Sequence, residues 1–252
     1  MVRIISLISG KGGVGKTLIS LNLSYALSNF GFKTLLIDFN FTTPHISLFL
    51  TSKPKFTLNE FLSEEADFYE ILNPTFNFFY ISPSLNLEEI TSLKLENLEK
   101  LKENLNFFDF VLLDSAPGFG REAITAIKFS EEIIIVSNPT ISSLFDSIKC
   151  FQLANKLNKK VLGIIINRYE KDSPLNLKDF QNLINTNILS IIEESKKAKY
   201  ADLRREMLYN LDKNFRDQIN SIISKIAGIE IKKENTLKKF LNIFQNIFSK
   251  KF

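Results

Sequence analysis

Short apolar runs rich in isoleucine, valine and leucine recur along the chain at residues 2–8, 33–38, 78–82, 107–114, 132–137, 161–167 and, more weakly, 188–192. Each is apolar almost throughout rather than at alternate positions, the pattern of a parallel strand covered on both faces. Between them lie stretches with the helical spacing of apolar residues, at 18–30, 93–105, 141–157 and 177–184. Strand and helix in alternation predict βαβ units and a doubly wound α/β domain, with a mostly parallel sheet of seven or eight strands. No internal repeat breaks the alternation before Gly228. The expected organisation is a body over 1–227, a short polar linker over 228–235 and one more helix over 236–252.

Composition changes this picture in two places. The net charge is +4, and the four lysines Lys238, Lys239, Lys250 and Lys251, with no acid among residues 236–252, account for all of it. The body is therefore neutral and the terminal segment carries the imbalance. The single cysteine, Cys150, excludes an internal disulfide and a CxxC metal site, and reads as a small buried hydrophobe. The first apolar run leads straight into glycines, so it reads as a strand rather than a leader. No stretch approaches the roughly 20 apolar residues of a membrane span, and the expectation is a cytoplasmic protein.

The chemistry begins where the first strand ends. Gly10-Lys11-Gly12-Gly13-Val14-Gly15-Lys16-Thr17 fits the P-loop pattern GxxxxGK[ST], between an apolar strand and an amphipathic helix. Glycines let backbone N–H groups converge on phosphate oxygens, and the following helix adds the positive end of its dipole. Lys16 is the point charge for the β- and γ-phosphates, and the Thr17 hydroxyl is a Mg²⁺ ligand.

The second lysine, Lys11, just after the first glycine, makes this a deviant Walker A motif. The sequence resembles the MinD/ParA family of ATPases over nearly its whole length. Ser9-Gly10-Lys11 and the run Gly118-Phe119-Gly120-Arg121-Glu122-Ala123 look most like archaeal MinD-like proteins. The resemblance implies ATP and Mg²⁺ as ligands and a homodimer in the ATP state, in which Lys11 reaches the partner's phosphates. It implies that Asp38, ending Leu35-Leu36-Ile37-Asp38, belongs to a first switch beside the metal. Asp114, ending Phe110-Val111-Leu112-Leu113-Asp114, would hold Mg²⁺ through water. The Gly118 N–H would meet the γ-phosphate, and Asn167 would read the adenine edge with its amide.

Two positions depart from the family pattern. Asn40 stands where relatives place the acid that orients the attacking water. An amide positions water but takes no proton, so slow hydrolysis is expected. Ile191-Ile192-Glu193-Glu194 replaces the usual Ile-Pro-Glu-Asp near the adenine. His45, the only histidine, reads as a surface residue.

In residues 236–252, Leu237, Phe240, Leu241, Phe244, Ile247, Phe248 and Phe252 share one side of a helical wheel, opposite lysines and uncharged polar residues. This is the pattern of a helix lying in a membrane interface, here anionic lipid, and MinD-like proteins often end in one. The plainer reading is a helix docked on protein. The function expected is a MinD-like ATPase that associates reversibly with the inner face of the cell membrane. It would position a cellular assembly, with a protein partner that stimulates hydrolysis. The alternative is a ParA-like partition ATPase binding DNA, which the neutral body disfavours. An iron–sulfur carrier is disfavoured because two chains supply only two cysteines, and a Cys₄ cluster needs four.

Overall fold

The structure is a computed structural model that describes residues 1–51, 53–86, 95–170 and 186–231. The helix expected at 177–184, residues 232–235 of the expected linker and the terminal helix at 236–252 lie outside the described residues.

Eight strands form one sheet in the order β3-β4-β2-β5-β1-β6-β7-β8. They are β1 Arg3–Ile8, β2 Thr34–Phe39, β3 Asn73–Thr75, β4 Phe78–Ile81, β5 Phe110–Ser115, β6 Glu132–Ser137, β7 Lys160–Tyr169 and β8 Ile188–Glu193. All neighbours run parallel except β3, which pairs antiparallel with β4. The described α-helices are α1 Lys16–Asn29, α2 Ile46–Leu50, α3 Leu58–Leu62, α4 Phe68–Ile71, α5 Leu98–Glu103, α6 Arg121–Phe129, α7 Ile141–Lys156, α8 Ala198–Arg204, α9 Leu208–Leu211 and α10 Lys213–Ala227. This is the doubly wound, mostly parallel α/β architecture that the pattern predicts.

The continuous apolar runs are explained by cores on both faces. In β2, Leu36 packs on one side with α1 and α10, while Leu35 and Ile37 pack on the other with α3, α4 and α5. In β6, Ile134 and Val136 face the α1 side, and Ile133 and Ile135 face α7. A strand buried on both faces has few positions where a polar side chain reaches water, and in β2 and β6 the polar residues Thr34, Asp38, Glu132 and Ser137 fall at or next to the strand ends.

Some boundaries moved. The run at 107–114 becomes a strand only from Phe110, because Leu105–Phe107 forms a 3-10 turn. There the Asp109 carboxylate accepts from Lys33 N at 2.8 Å, and Phe107, 58% exposed, lies under the Lys33 ammonium. Gly228 ends α10 in the left-handed conformation, as a C-cap glycine should. The chain then folds back: Ile229 and Ile231 pack partly buried against the core, so the first residues of the expected linker adhere to the body.

Candidate nucleotide site

The centre of the sheet brings β1, β2 and β5 side by side, and the loops at their carboxyl ends converge. A cavity of about 580 Å³ opens there. It is lined by Gly12, Gly13, Val14, Gly15, Lys16, Thr17, Leu18 and Leu21 from the P-loop and α1. Asn40, Thr43, His45, Leu48 and Phe49 follow from the next loop and α2, Ser115 and Pro117 from the end of β5, and Arg168, Asp202 and Arg205 from later elements.

One wall is built to receive an anion. Gly15 caps α1 in the left-handed conformation, φ 93°, and the first turn of α1 has no side-chain cap and no acid. The bare N–H groups of that turn and their dipole face the cavity. Lys16 is 7% exposed and its Nζ donates to Ser9 Oγ at 2.9 Å. Burial pulls its ammonium below the ordinary lysine range, against the pull of Asp114, Cys150 and Asp38. Thr17 Oγ1 donates to Asp114 Oδ2 at 2.6 Å, while the buried Oδ1 of Asp114 has no partner among the described residues. Burial raises the Asp114 carboxyl, against Lys16 and Thr17. A buried carboxylate oxygen without a donor is costly unless something else fills the place. The hydroxyl, the orphaned oxygen, the buried ammonium and the glycine-lined loop together fit a nucleotide triphosphate with its divalent cation.

The facing wall is satisfied internally. Asp38 pairs with Asp114 across the β2–β5 register. It is fully buried and accepts from the backbone N–H groups of Asn40 (3.0 Å), His45 (2.9 Å) and Ile46 (3.1 Å). Burial, then the neighbouring Asp114, push its carboxyl up to about 8 against those three amides. Asn40 is tied into its own loop, its Nδ2 donating to Thr43 O at 2.7 Å and its Oδ1 accepting from Thr43 Oγ1 at 3.1 Å. Phe41 anchors the loop from below, 2% exposed against Phe39.

The structure brings Thr17, Lys16 and Asp114 together, and places the other expected site residues as follows. Asp38 lies beside Asp114 in the β2–β5 register, with its oxygens held by the 40–46 loop, and neither carboxylate lines the cavity directly. The Gly118 N–H, expected on the γ-phosphate, donates instead to Ser9 O at 2.8 Å. Asn167, expected on the adenine, is 3% exposed and its Nδ2 donates to Val14 O at 2.7 Å, so it braces the P-loop from outside the cavity. Asn40 lines the cavity with its amide already bonded on both sides. Gly10 and Lys11 also lie outside the cavity of their own chain; Lys11 is exposed.

Sequence reasoning missed Arg168, Asp202, Arg205 and His45 as cavity residues. Arg168 (φ 56°) sits at a register shift in β7, and Arg205 (φ 57°) is the left-handed C-cap of α8. Two non-glycine residues held at positive φ on one cavity wall are the signal, and it is a structural one.

The geometry defines a P-loop nucleotide-binding domain, and comparison with known proteins agrees. A ParA sequence model described as NUBPL iron-transfer P-loop NTPase matches residues 1–247. An uncharacterised ATP-binding protein of Methanocaldococcus jannaschii is 30% identical over 255 residues, 96% of each chain. The cell division ATPase MinD of Pyrococcus furiosus superposes with a TM-score of 0.85 at 28% identity, over 91% of this chain and all of that one. The septum site-determining protein MinD of Pyrococcus horikoshii, solved with Mg-ADP, gives 0.85 at 29% identity, over 92% and 100%. The chain belongs to the ParA/MinD family of P-loop NTPases.

Proposed function

We propose that this chain is a MinD-like ATPase that binds ATP with Mg²⁺, dimerises on ATP and associates reversibly with an anionic membrane surface to position a cellular assembly. Lys16 and the α1 N-terminus would hold the phosphates. Thr17 and Asp114 would hold the cation, which supplies charge neutralisation at the β- and γ-phosphates. Asp38 would act on the metal side only through the loop it anchors. Arg168, Asp202 and Arg205 would form the base end of the cavity.

The observation that carries the dimer is Lys11. It is exposed and outside its own cavity; its carbonyl accepts from Ser9 Oγ at 2.8 Å, but its ammonium has no hydrogen-bond or ionic partner among the described residues. A loop whose other lysine already serves the site gains nothing from a second one, unless that lysine reaches a neighbouring copy. Light scattering tests this. The native chain should double its mass with ATP and not with ADP, and Lys11→Ala should stay monomeric while still binding ATP. Equal mass in all states would sink the reading.

Membrane association rests on the amphipathic pattern of residues 236–252 and on avidity. One short interfacial helix binds weakly, and two on a dimer bind on the order of a hundredfold more tightly. Among the described residues no helix is long and apolar enough to cross a membrane. Deleting 236–252 should release the protein from anionic liposomes and leave the ATP-dependent dimer intact. Continued pelleting of the truncated protein would instead mark the segment as a docking helix. The iron transfer in the matching model's description needs thiolate ligands. The only cysteine, Cys150, is 2% exposed, and burial, helped by Asp146, pushes its thiol up to about 12.

A further inference from the structure

The P-loop pattern begins at Gly10, but the hydroxyl that holds Lys16 belongs to the residue before it. Ser9 follows β1 directly and is buried. Its Oγ donates to Lys11 O at 2.8 Å and accepts from Lys16 Nζ at 2.9 Å. Its carbonyl accepts from Gly118 N at 2.8 Å. One buried residue thus joins both ends of the P-loop to the loop that follows β5.

The donors and acceptors leave one arrangement of protons. An ammonium only donates and a carbonyl only accepts. The single hydroxyl proton of Ser9 therefore goes to Lys11 O, and an Oγ lone pair is turned toward Lys16. The backbone that carries the hydroxyl is confined. Gly118 holds it at Ser9. At Gly10 a Cβ would lie 2.6 Å from Asp146 Cβ and 3.1 Å from the Phe119 ring, so the chain there is pressed close to α7 and to the β5–α6 loop.

Lys16 is the flexible partner. Lysine has a long stem and one of the largest rotamer entropies of any side chain. Among the described residues Ser9 Oγ is its one hydrogen-bond acceptor, and no carboxylate forms an ion pair with it. That bond uses one ammonium N–H. Lys16 lines the cavity, and its remaining N–H groups are left for a ligand. A fixed acceptor that orders a flexible cation in advance lowers the cost of ordering it on binding.

We propose that Ser9 is a positioning residue for nucleotide binding: its hydroxyl, oriented by the Lys11 carbonyl, aims the Lys16 ammonium at the β- and γ-phosphates. The proposal rests on the ATP reading above and adds to it a residue outside the GxxxxGK[ST] pattern. Ser9 does not line the cavity, so it acts through Lys16 and touches no phosphate itself.

The test uses the full chain with Ser9→Ala and, separately, Ser9→Thr. Alanine removes the acceptor, and threonine keeps a hydroxyl at the same place. Dissociation constants for ATP, ADP and AMP are measured by competition against a fluorescent nucleotide, with nucleotide-free melting temperatures in parallel. Ser9→Ala should weaken ATP and ADP by about tenfold, the scale of one hydrogen bond to a charged group. It should weaken AMP by less than about twofold, because AMP has no β- or γ-phosphate for Lys16 to hold. Ser9→Thr should bring ATP affinity back to within about threefold of the native value. A serine that served only the fold would lower the melting temperature and weaken all three nucleotides together, and that result overturns the proposal. Native ATP affinity in Ser9→Ala overturns it too, as does a threonine variant as weak as the alanine one, and in both cases the ATP reading stands. If the native chain binds no ATP, the ATP reading falls and takes this one with it.

Discussion

The two walls of the cavity are made in opposite ways. The P-loop wall holds what an isolated chain should avoid: a buried lysine drawn below its ordinary range, a carboxylate oxygen with no donor among the described residues and a helix start with no side-chain cap. The 40–46 wall holds none of these. Its acid accepts three amides and its asparagine is bonded at both ends of its side chain, both within the loop. The first wall is incomplete without a ligand, and the second is complete without one. Binding energy therefore comes from the first, and any nucleotide-driven rearrangement must break bonds in the second.

The contrast is breakable, beginning with the P-loop wall. Lys16→Ala removes the buried ammonium and should abolish ATP binding, by at least about a thousandfold, as titrated with a fluorescent analogue. Because burial desolvates the lysine, the nucleotide-free variant should unfold at the same or a higher temperature than the native chain. A fall in melting temperature would mean the wall was not incomplete after all.

Gly15→Ala should act next most strongly. The residue sits at φ 93°, and an added Cβ would land on the Asn167 amide nitrogen. Backbone strain of about 1–3 kcal/mol is expected together with loss of the Asn167–Val14 brace. Both thermal stability and ATP affinity should drop, and unchanged affinity would show that the brace is dispensable.

The facing wall has a pH signature. Asp38 is pushed up to about 8 by burial and by Asp114, against about 3.9 in an unfolded chain. Between those values the folded chain holds a proton that the unfolded chain has released. This contribution to stability is full below about pH 4 and is lost as pH rises through about 8. The nucleotide-free melting temperature should fall from about pH 6 to about pH 9, and Asp38→Asn should flatten that slope. Mg²⁺–ATP should flatten it too, since a cation beside the pair replaces the proton. A slope unaffected by either would place its source elsewhere.

The smallest effect is at Asn40. Asn40→Asp loses the donation to Thr43 O and offers a carboxylate to the cavity. Turnover should rise roughly threefold to tenfold, with little change in ATP affinity. Equal or lower turnover would show that the loop's internal bonds, rather than the identity of residue 40, set the rate.

The parallel strands were legible because burial on both faces keeps each run mostly apolar, with only scattered polar residues such as Ser6 and Thr34, so each run stands out alone. β3 was not, since Asn73-Pro74-Thr75 is short, polar and held only by β4. The capping boxes at Thr57 with Glu60 and Asp67 with Glu70 are written in the chain as polar residues three apart, but the helices they start are too short to show a helical period. Within the site, Lys16, Thr17 and Asp114 were legible because their types and spacing are fixed by phosphate and metal chemistry. The partners of Gly118 and Asn167 were not. A motif says which group is present, but only packing decides whether Ser9 O or Val14 O claims it first. Arg168, Asp202 and Arg205 arrive from distant segments and form no motif.

The two margins of the sheet have a consequence for the life of the molecule in a crowded cell. β3 is three residues long and its middle residue, Pro74, has no N–H to offer. At the other margin, α10 lies along β8. Lys225 Nζ donates to the carbonyls of Ile188 and Leu189, and Gln218 Oε1 accepts from Glu193 N at 3.3 Å. Open strand margins invite indiscriminate growth by strand addition, ending in insoluble fibres. A chain proposed to meet its copy only on a nucleotide signal has to be barred from meeting it by accident, and here one margin is cut short and the other is sealed by side chains.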